Sequence, residues 1–130
     1  MSRRTELEEL VIREAAAEDG IVIEVRMGRD PGRERMKKLN SALEELDELL
    51  REEQTLDRRL AYSLYALSVY VDQTMNSWAE QGKAWPEEFV NHEVPTLVMY
   101  VAYCLEGDAF KVYVGDDEDE QGDETCLGGR

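Results

Sequence analysis

The segment from Leu60 to Val71 constrains the fold more than any other part of the chain, because it is uncharged and apolar almost all round when it is wound as a helix. A helix of this kind is buried on several sides. We therefore predict a helix from about 56 to 81, capped by Thr55, at the centre of the core. The residues of this helix that we expect in the core are Tyr62, Leu64, Tyr65 and Leu67.

The preceding segment carries a stripe of apolar residues in which the spacing alternates between three and four. The stripe predicts an amphipathic helix from about 32 to 53. A turn near 52–55 would fold these two helices into an antiparallel hairpin, and a proline-initiated segment over about 86–105 would complete a small bundle. The stripe consists of Met36, Leu39, Leu43, Leu46 and Leu50.

Two short segments have the alternation that is typical of strands. Residues 21–27 alternate apolar and charged side chains, and residues 109–114 do the same more weakly. They predict a small sheet beside the helices, so the expected fold class is mainly α with a small β component. Two assignments stay open: 97–105 as helix or strand, and 5–19 as helix, which we favour, or hairpin.

The 130 residues suffice for one domain, which we place at 1–115. Residues 116–130 hold seven acids and one base, and we expect this tail to be disordered. The two cysteines, Cys104 and Cys126, predict reduced thiols, because no secretion signal precedes them. The longest apolar run cannot span a bilayer, so we expect a cytoplasmic protein.

The net charge of −15 predicts which partners the chain can have. Direct binding of nucleic acid and of anionic membranes is disfavoured, because both require the opposite sign of charge. A protein partner, including a basic one, is compatible with this charge. The apolar stripe could also form a homodimer.

Two groups of residues are candidate binding sites. Trp78 and Trp85 lie near a predicted helix end and suit a partner surface. A basic stretch in an otherwise acidic chain predicts either an anion site or a docking place for the acidic tail. That stretch comprises Arg29, Arg33, Arg35, Lys37 and Lys38.

The acids Glu44, Glu45 and Glu48 fit the EExxE spacing found in all-helical nucleotide pyrophosphohydrolases of the MazG type. This resemblance implies Mg²⁺ held by carboxylates one helical turn apart. It covers five residues, and the second ExxD pair of that family is missing, because Val69 stands where the glutamate before Asp72 would be. A solvated helix face explains the acids better, and we infer no family, no metal and no cofactor.

His92 is the single histidine, and no nucleophile context accompanies it, so we expect no catalytic residues. The sequence therefore favours a non-catalytic protein interaction module, such as an acidic adaptor, an inhibitor or an immunity-type protein, that binds a basic partner or self-associates. The alternatives are a small Mg²⁺-dependent phosphohydrolase and a DNA-mimic inhibitor.

Overall fold

A computed structural model describes the backbone of residues 2–114 and the side chains of residues 2–108. The described chain is mainly helical. Its helices are α1 (Arg3–Ala16), α2 (Ile21–Arg26), α3 (Arg33–Leu50), α4 (Arg58–Glu80) and α5 (Val94–Val114), and a π-helical turn (Phe89–Glu93) leads directly into α5. The predicted acidic tail and Cys126 lie outside the described residues.

The four long helices form a ring in the order α1, α3, α5, α4. Helix α1 is antiparallel to α3, since Arg3 near its start binds Glu45 and Glu14 near its end binds Arg35. Helix α5 runs parallel to α3, because the amide of Asp108 donates to the Arg51 carbonyl. The predicted bundle is therefore present. Helices α3 and α4 lie on opposite corners of it, and not side by side as a hairpin would have them.

The core lies along the axis of this ring. The leucine stripe of α3 is fully buried, and in α4 Leu64 and Leu67 are both 0% exposed, as predicted. The prediction for two tyrosines of α4 was wrong, because Tyr62 is 57% and Tyr65 is 46% exposed. Helix α4 carries more apolar side chains than the core can bury. The tyrosines are the ones that remain at the surface, because water can solvate their hydroxyls.

The predicted strand at 21–27 was wrong, because this segment is helix α2. Its buried residues are Ile21, Val22 and Val25, a spacing that places them on one side of a helix. This side packs against α1 and α4, and burial outweighs the strand preference of β-branched residues. The carboxylate of Glu14 accepts a hydrogen bond from the Ile21 amide at 3.0 Å and so satisfies a free N–H at the start of α2.

The predicted strand at 109–114 was also wrong, since the backbone there is helical, and residues 97–105 form a helix too. Residues 2–114 contain no strand with which a sheet could pair. Helix 5–19 was predicted correctly in type, although the helix starts at Arg3. Ser2 caps this helix, since its hydroxyl accepts a hydrogen bond from the Thr5 amide.

Pro95 lies in the first turn of α5, directly after the π-helical turn. Proline has no N–H to donate and its ring clashes with the carbonyl four residues earlier. The π-helical turn at Phe89–Glu93 accommodates this defect, and the Val94 amide bonds to the Phe89 carbonyl five residues back. Helix α5 itself is interrupted once, at Gly107, where φ is 52° and ψ is −164°. Only glycine adopts this conformation readily.

Candidate functional site

Helix α5 presents an apolar face to solvent. Its inner side, with Leu97 and Val101, belongs to the core. On its outer side Val98 is 37%, Met99 40%, Tyr103 45% and Leu105 44% exposed, and these four are half of the eight large apolar side chains exposed among residues 2–108. No charge occurs from 94 to 105, although 35% of the chain is charged. We call the side chains of Val98, Met99, Ala102, Tyr103 and Leu105 the α5 face.

A groove of about 490 Å³ runs beside the α5 face, between α3 and α5. The apolar part of its lining comes from Met99 and Tyr100. At its floor the amide of Asn40 donates to the Glu93 carbonyl at 3.2 Å, whereas the buried oxygen Oδ1 of Asn40 has no partner among the described residues. The groove therefore has one apolar side and one polar side.

The π-helical turn places Glu93 at one end of this groove. Glu93 is only 7% exposed. Burial raises the pKa of its carboxyl, and the negative charges of Asp30 and Glu88 raise it further, while Arg33 and His92 act in the opposite direction. The single histidine of the chain therefore acts on Glu93 as a weak electrostatic neighbour and is itself exposed.

The side of α3 that borders the groove changes its charge along the helix. Arg33 and Lys37 line one end, Asn40 and Ser41 follow, and Glu44 lies beside Tyr100. Glu48 is exposed one turn further on. Because these positions recur every three or four residues, they share one side of α3. We call this row the α3 margin: basic at its start, neutral in the middle and acidic at its end.

The structure separates the basic residues that the sequence grouped together. Arg29 pairs with Glu24 at 2.8 Å, and this guanidinium lowers the pKa of the Glu24 carboxyl. Arg35 binds the buried Glu14 carboxylate through two nitrogens and also donates to the Asp19 carbonyl.

The other three members of the predicted basic site lie on two sides of α3. Arg33 and Lys37 line the groove, and Lys38 lines a shallow cavity against α1. Only Arg33 and Lys37 therefore share a site, and the five bases do not form one common anion-binding surface.

The two tryptophans have internal partners. Trp85 is 8% exposed, its indole N–H donates to the Met75 carbonyl at 3.0 Å, and its ring stacks near Phe89. It is therefore part of the core and not of the surface on which we placed it. Trp78 is partly buried against Gly28, and its N–H donates to the Arg26 carbonyl at 3.1 Å.

The three acids of the EExxE motif do not converge. Glu45 forms a two-pronged ion pair with Arg3 at 2.8 and 2.9 Å, which lowers the pKa of its carboxyl. Glu44 faces the groove, and Glu48 is exposed. In the part of the chain that the structure describes, no group of three His, Cys, Asp or Glu side chains is arranged to hold a metal ion.

A second exposed cluster lies on α4. The rings of Tyr62 and Tyr65 are 5.9 Å apart, Tyr65 and Tyr70 are 6.1 Å apart, and the hydroxyls of Tyr62 and Tyr70 are within 3.2 Å. Arg26 of α2 lies 6.0 Å from the Tyr70 ring. The hydroxyls of Tyr62 and Tyr70 are therefore hydrogen-bonded to each other, and the side chains of Tyr62 and Tyr65 are exposed.

Comparison of the chain with family models, with curated proteins and with solved structures gives no match. Among the described residues no helix has the length and apolar character needed to cross a membrane. The α5 face was not predicted, because the apolar run at 97–105 is compatible with both helix and strand. With helical spacing, that segment predicts a buried side containing Leu97 and Val101, and a second apolar side containing Val98 and Leu105.

Proposed function

We propose that this protein is a non-catalytic protein interaction module and that it binds another protein through the α5 face. The observation that carries the proposal is the uncharged stretch from 94 to 105, whose outer side is apolar and open to solvent. A helix that is apolar all round is normally covered on all sides, and contiguous exposed apolar surface marks binding sites. The occupant that fits it is an apolar helical surface of a partner.

Charge has a secondary part in this binding. The −15 net charge steers the approach of partners and repels acidic ones, whereas the desolvation of Val98, Met99 and Leu105 supplies the affinity. The α3 margin, with charges of both signs beside the face, selects the orientation in which a partner docks.

The proposal is tested by site-specific photo-crosslinking in extract of the source cells. A photoreactive residue at position 98 is expected to capture a partner chain, which mass spectrometry identifies and which is then purified. The same residue at Gln73, an exposed position of α4, is the control and should not capture that chain.

The affinity of the purified partner for this chain and its variants then tests whether the α5 face is the binding site. The double variant Val98→Asp, Leu105→Asp should weaken binding at least about tenfold, because two carboxylates would have to be desolvated. Gln73→Asp should leave the affinity unchanged. Equal affinity for the wild type and the double variant would refute the proposal.

A further inference from the structure

We infer that the partner of the α5 face is a second copy of this chain, packed with its α5 antiparallel to the first about a two-fold axis. This inference rests on the proposed function and names its occupant. It is carried by the juxtaposition of the uncharged face with the change of charge along the α3 margin.

The α5 face is uncharged, which self-association of so acidic a chain requires. Two copies with a charge of −15 each repel one another at long range, so they can meet only where no like charges come into contact. The twelve residues from 94 to 105 provide about 18 Å of helix without any charge. Ala102, exposed among larger side chains, allows the two helices a close approach.

The charges beside the face select the antiparallel arrangement. Along the α3 margin the bases Arg33 and Lys37 come first, and the acids Glu44 and Glu48 follow. A parallel pair would place the two basic ends together and the two acidic ends together. An antiparallel pair places each basic end beside the acidic end of the other copy.

The register of that pair follows from the contacts between α3 and α5. Asn40 bonds to the Glu93 carbonyl and the Arg51 carbonyl bonds to the Asp108 amide, and between these two contacts Glu44 lies close to the side chain of Tyr100. The middle of the uncharged stretch, near position 100, is therefore level with Glu44. A two-fold axis there offsets Lys37 of one copy from Glu48 of the other by about one helical turn or less along the helix direction.

A two-fold axis also doubles every contact. In a two-fold symmetric dimer each contact between two residues occurs twice, so one substitution changes two equivalent contacts. Single substitutions should therefore have larger effects on dimerisation than they would have on binding an unrelated partner. This doubling makes the inference accessible to measurement with the purified full chain alone.

The first measurement is sedimentation equilibrium of the full chain from about 1 to 500 µM, the range in which such interfaces associate. We expect a reversible monomer–dimer equilibrium. Val98→Asp with Leu105→Asp should raise the dimer Kd at least about 100-fold, because four carboxylates would be buried at the interface. Gln73→Asp should change Kd less than about twofold. Circular dichroism verifies the fold, and Met99→Lys serves as a second variant.

The second measurement tests the orientation. Lys37→Glu alone and Glu48→Lys alone should each raise Kd, by about 3- to 30-fold for two symmetric ion pairs. The double variant K37E/E48K restores opposite charges across an antiparallel interface and should bring Kd back to within about twofold of the wild type. In a parallel dimer the double variant would not recover.

The outcomes separate this inference from the proposed function. A wild type that stays monomeric, a dimer insensitive to the α5 substitutions, or a double variant without recovery would each overturn the inference. If the chain is monomeric but a different protein crosslinks at position 98 and loses affinity for the α5 variant, the proposed function stands and the second copy is ruled out. If neither occurs, both fail.

Discussion

Removal of the Glu14 carboxylate should destabilise the fold more than any other change of a single charge in α1. Glu14 is 8% exposed and accepts three hydrogen bonds, one from the Ile21 amide at 3.0 Å and two from Arg35 at 2.7 and 3.1 Å. It thereby connects α1 to the start of α2 and to α3.

The magnitude follows from the groups that Glu14→Ala would leave behind. The amide of Ile21, a residue that is 0% exposed, would lose its partner, which costs about 1–3 kcal/mol. Loss of one member of a fully buried ion pair costs about 3–5 kcal/mol, but the side chain of Arg35 is 33% exposed and can turn towards water. We therefore expect a total loss of about 2–4 kcal/mol.

Urea denaturation followed by circular dichroism measures this change, with the free energy of unfolding taken by linear extrapolation at pH 7. Glu14→Gln keeps a carbonyl for the Ile21 amide and should lose less, about 1–2 kcal/mol. Glu9→Ala, on the exposed side of α1, is the matched control and should stay within about 0.5 kcal/mol. A Glu14→Ala variant as stable as the control would refute the reasoning.

Three further predictions concern single residues. The pKa of the Glu93 carboxyl is raised above the ordinary 4.5, so its ionisation costs stability as pH rises through the folded pKa. Glu93→Gln should therefore be more stable than wild type at pH 7 but not at pH 4. Thermal unfolding at both pH values checks this. Burial raises the pKa of the Cys104 thiol to about 12, so in a Cys126→Ser background this thiol should react with a disulfide reagent at pH 8 only after unfolding. Gly107→Ala should cost about 1–3 kcal/mol in urea denaturation, because φ is 52° there and a Cβ would lie 3.1 Å from the Arg51 carbonyl oxygen.

The sequence predicted the helices of the bundle where periodicity was long enough to be decisive. The stripe from Met36 to Leu50 predicted α3 to within three residues at either end, and the apolar run predicted the bounds of α4 equally well. The predicted cap of α4 was wrong, because Asp57, and not Thr55, accepts from the Leu60 amide. The strand at 21–27 was wrong because an alternation over only seven residues is also compatible with a short helix. Ile21, Val22 and Val25 satisfy the helical spacing once α1 and α4 supply a surface, which the local sequence does not contain.

The candidate site was predicted less well than the fold. Arg33 and Lys37 were selected by their charge, and they do line the groove. Trp85 was selected as a surface residue because it lies near a helix end, but the carbonyl of Met75 satisfies its N–H inside the core. The Asn40–Glu93 contact joins residues 53 positions apart, and no local pattern could predict it.

Among the described residues, α4 and α5 both expose large aromatic or aliphatic side chains, and their chemistry is the reason why we propose α5 as the binding surface. The exposed side of α4 carries Tyr62 and Tyr65, whose hydroxyls water can solvate, so the cluster can face solvent at little cost. The exposed side of α5 carries Val98, Met99 and Leu105, which have no group that can bond to water. Full burial of each of these side chains is worth about 1.5–3 kcal/mol of free energy. At their present exposure only part of that stabilisation is obtained. A contact that buries the α5 face recovers it, and for this reason we assign binding to α5 and not to the tyrosines.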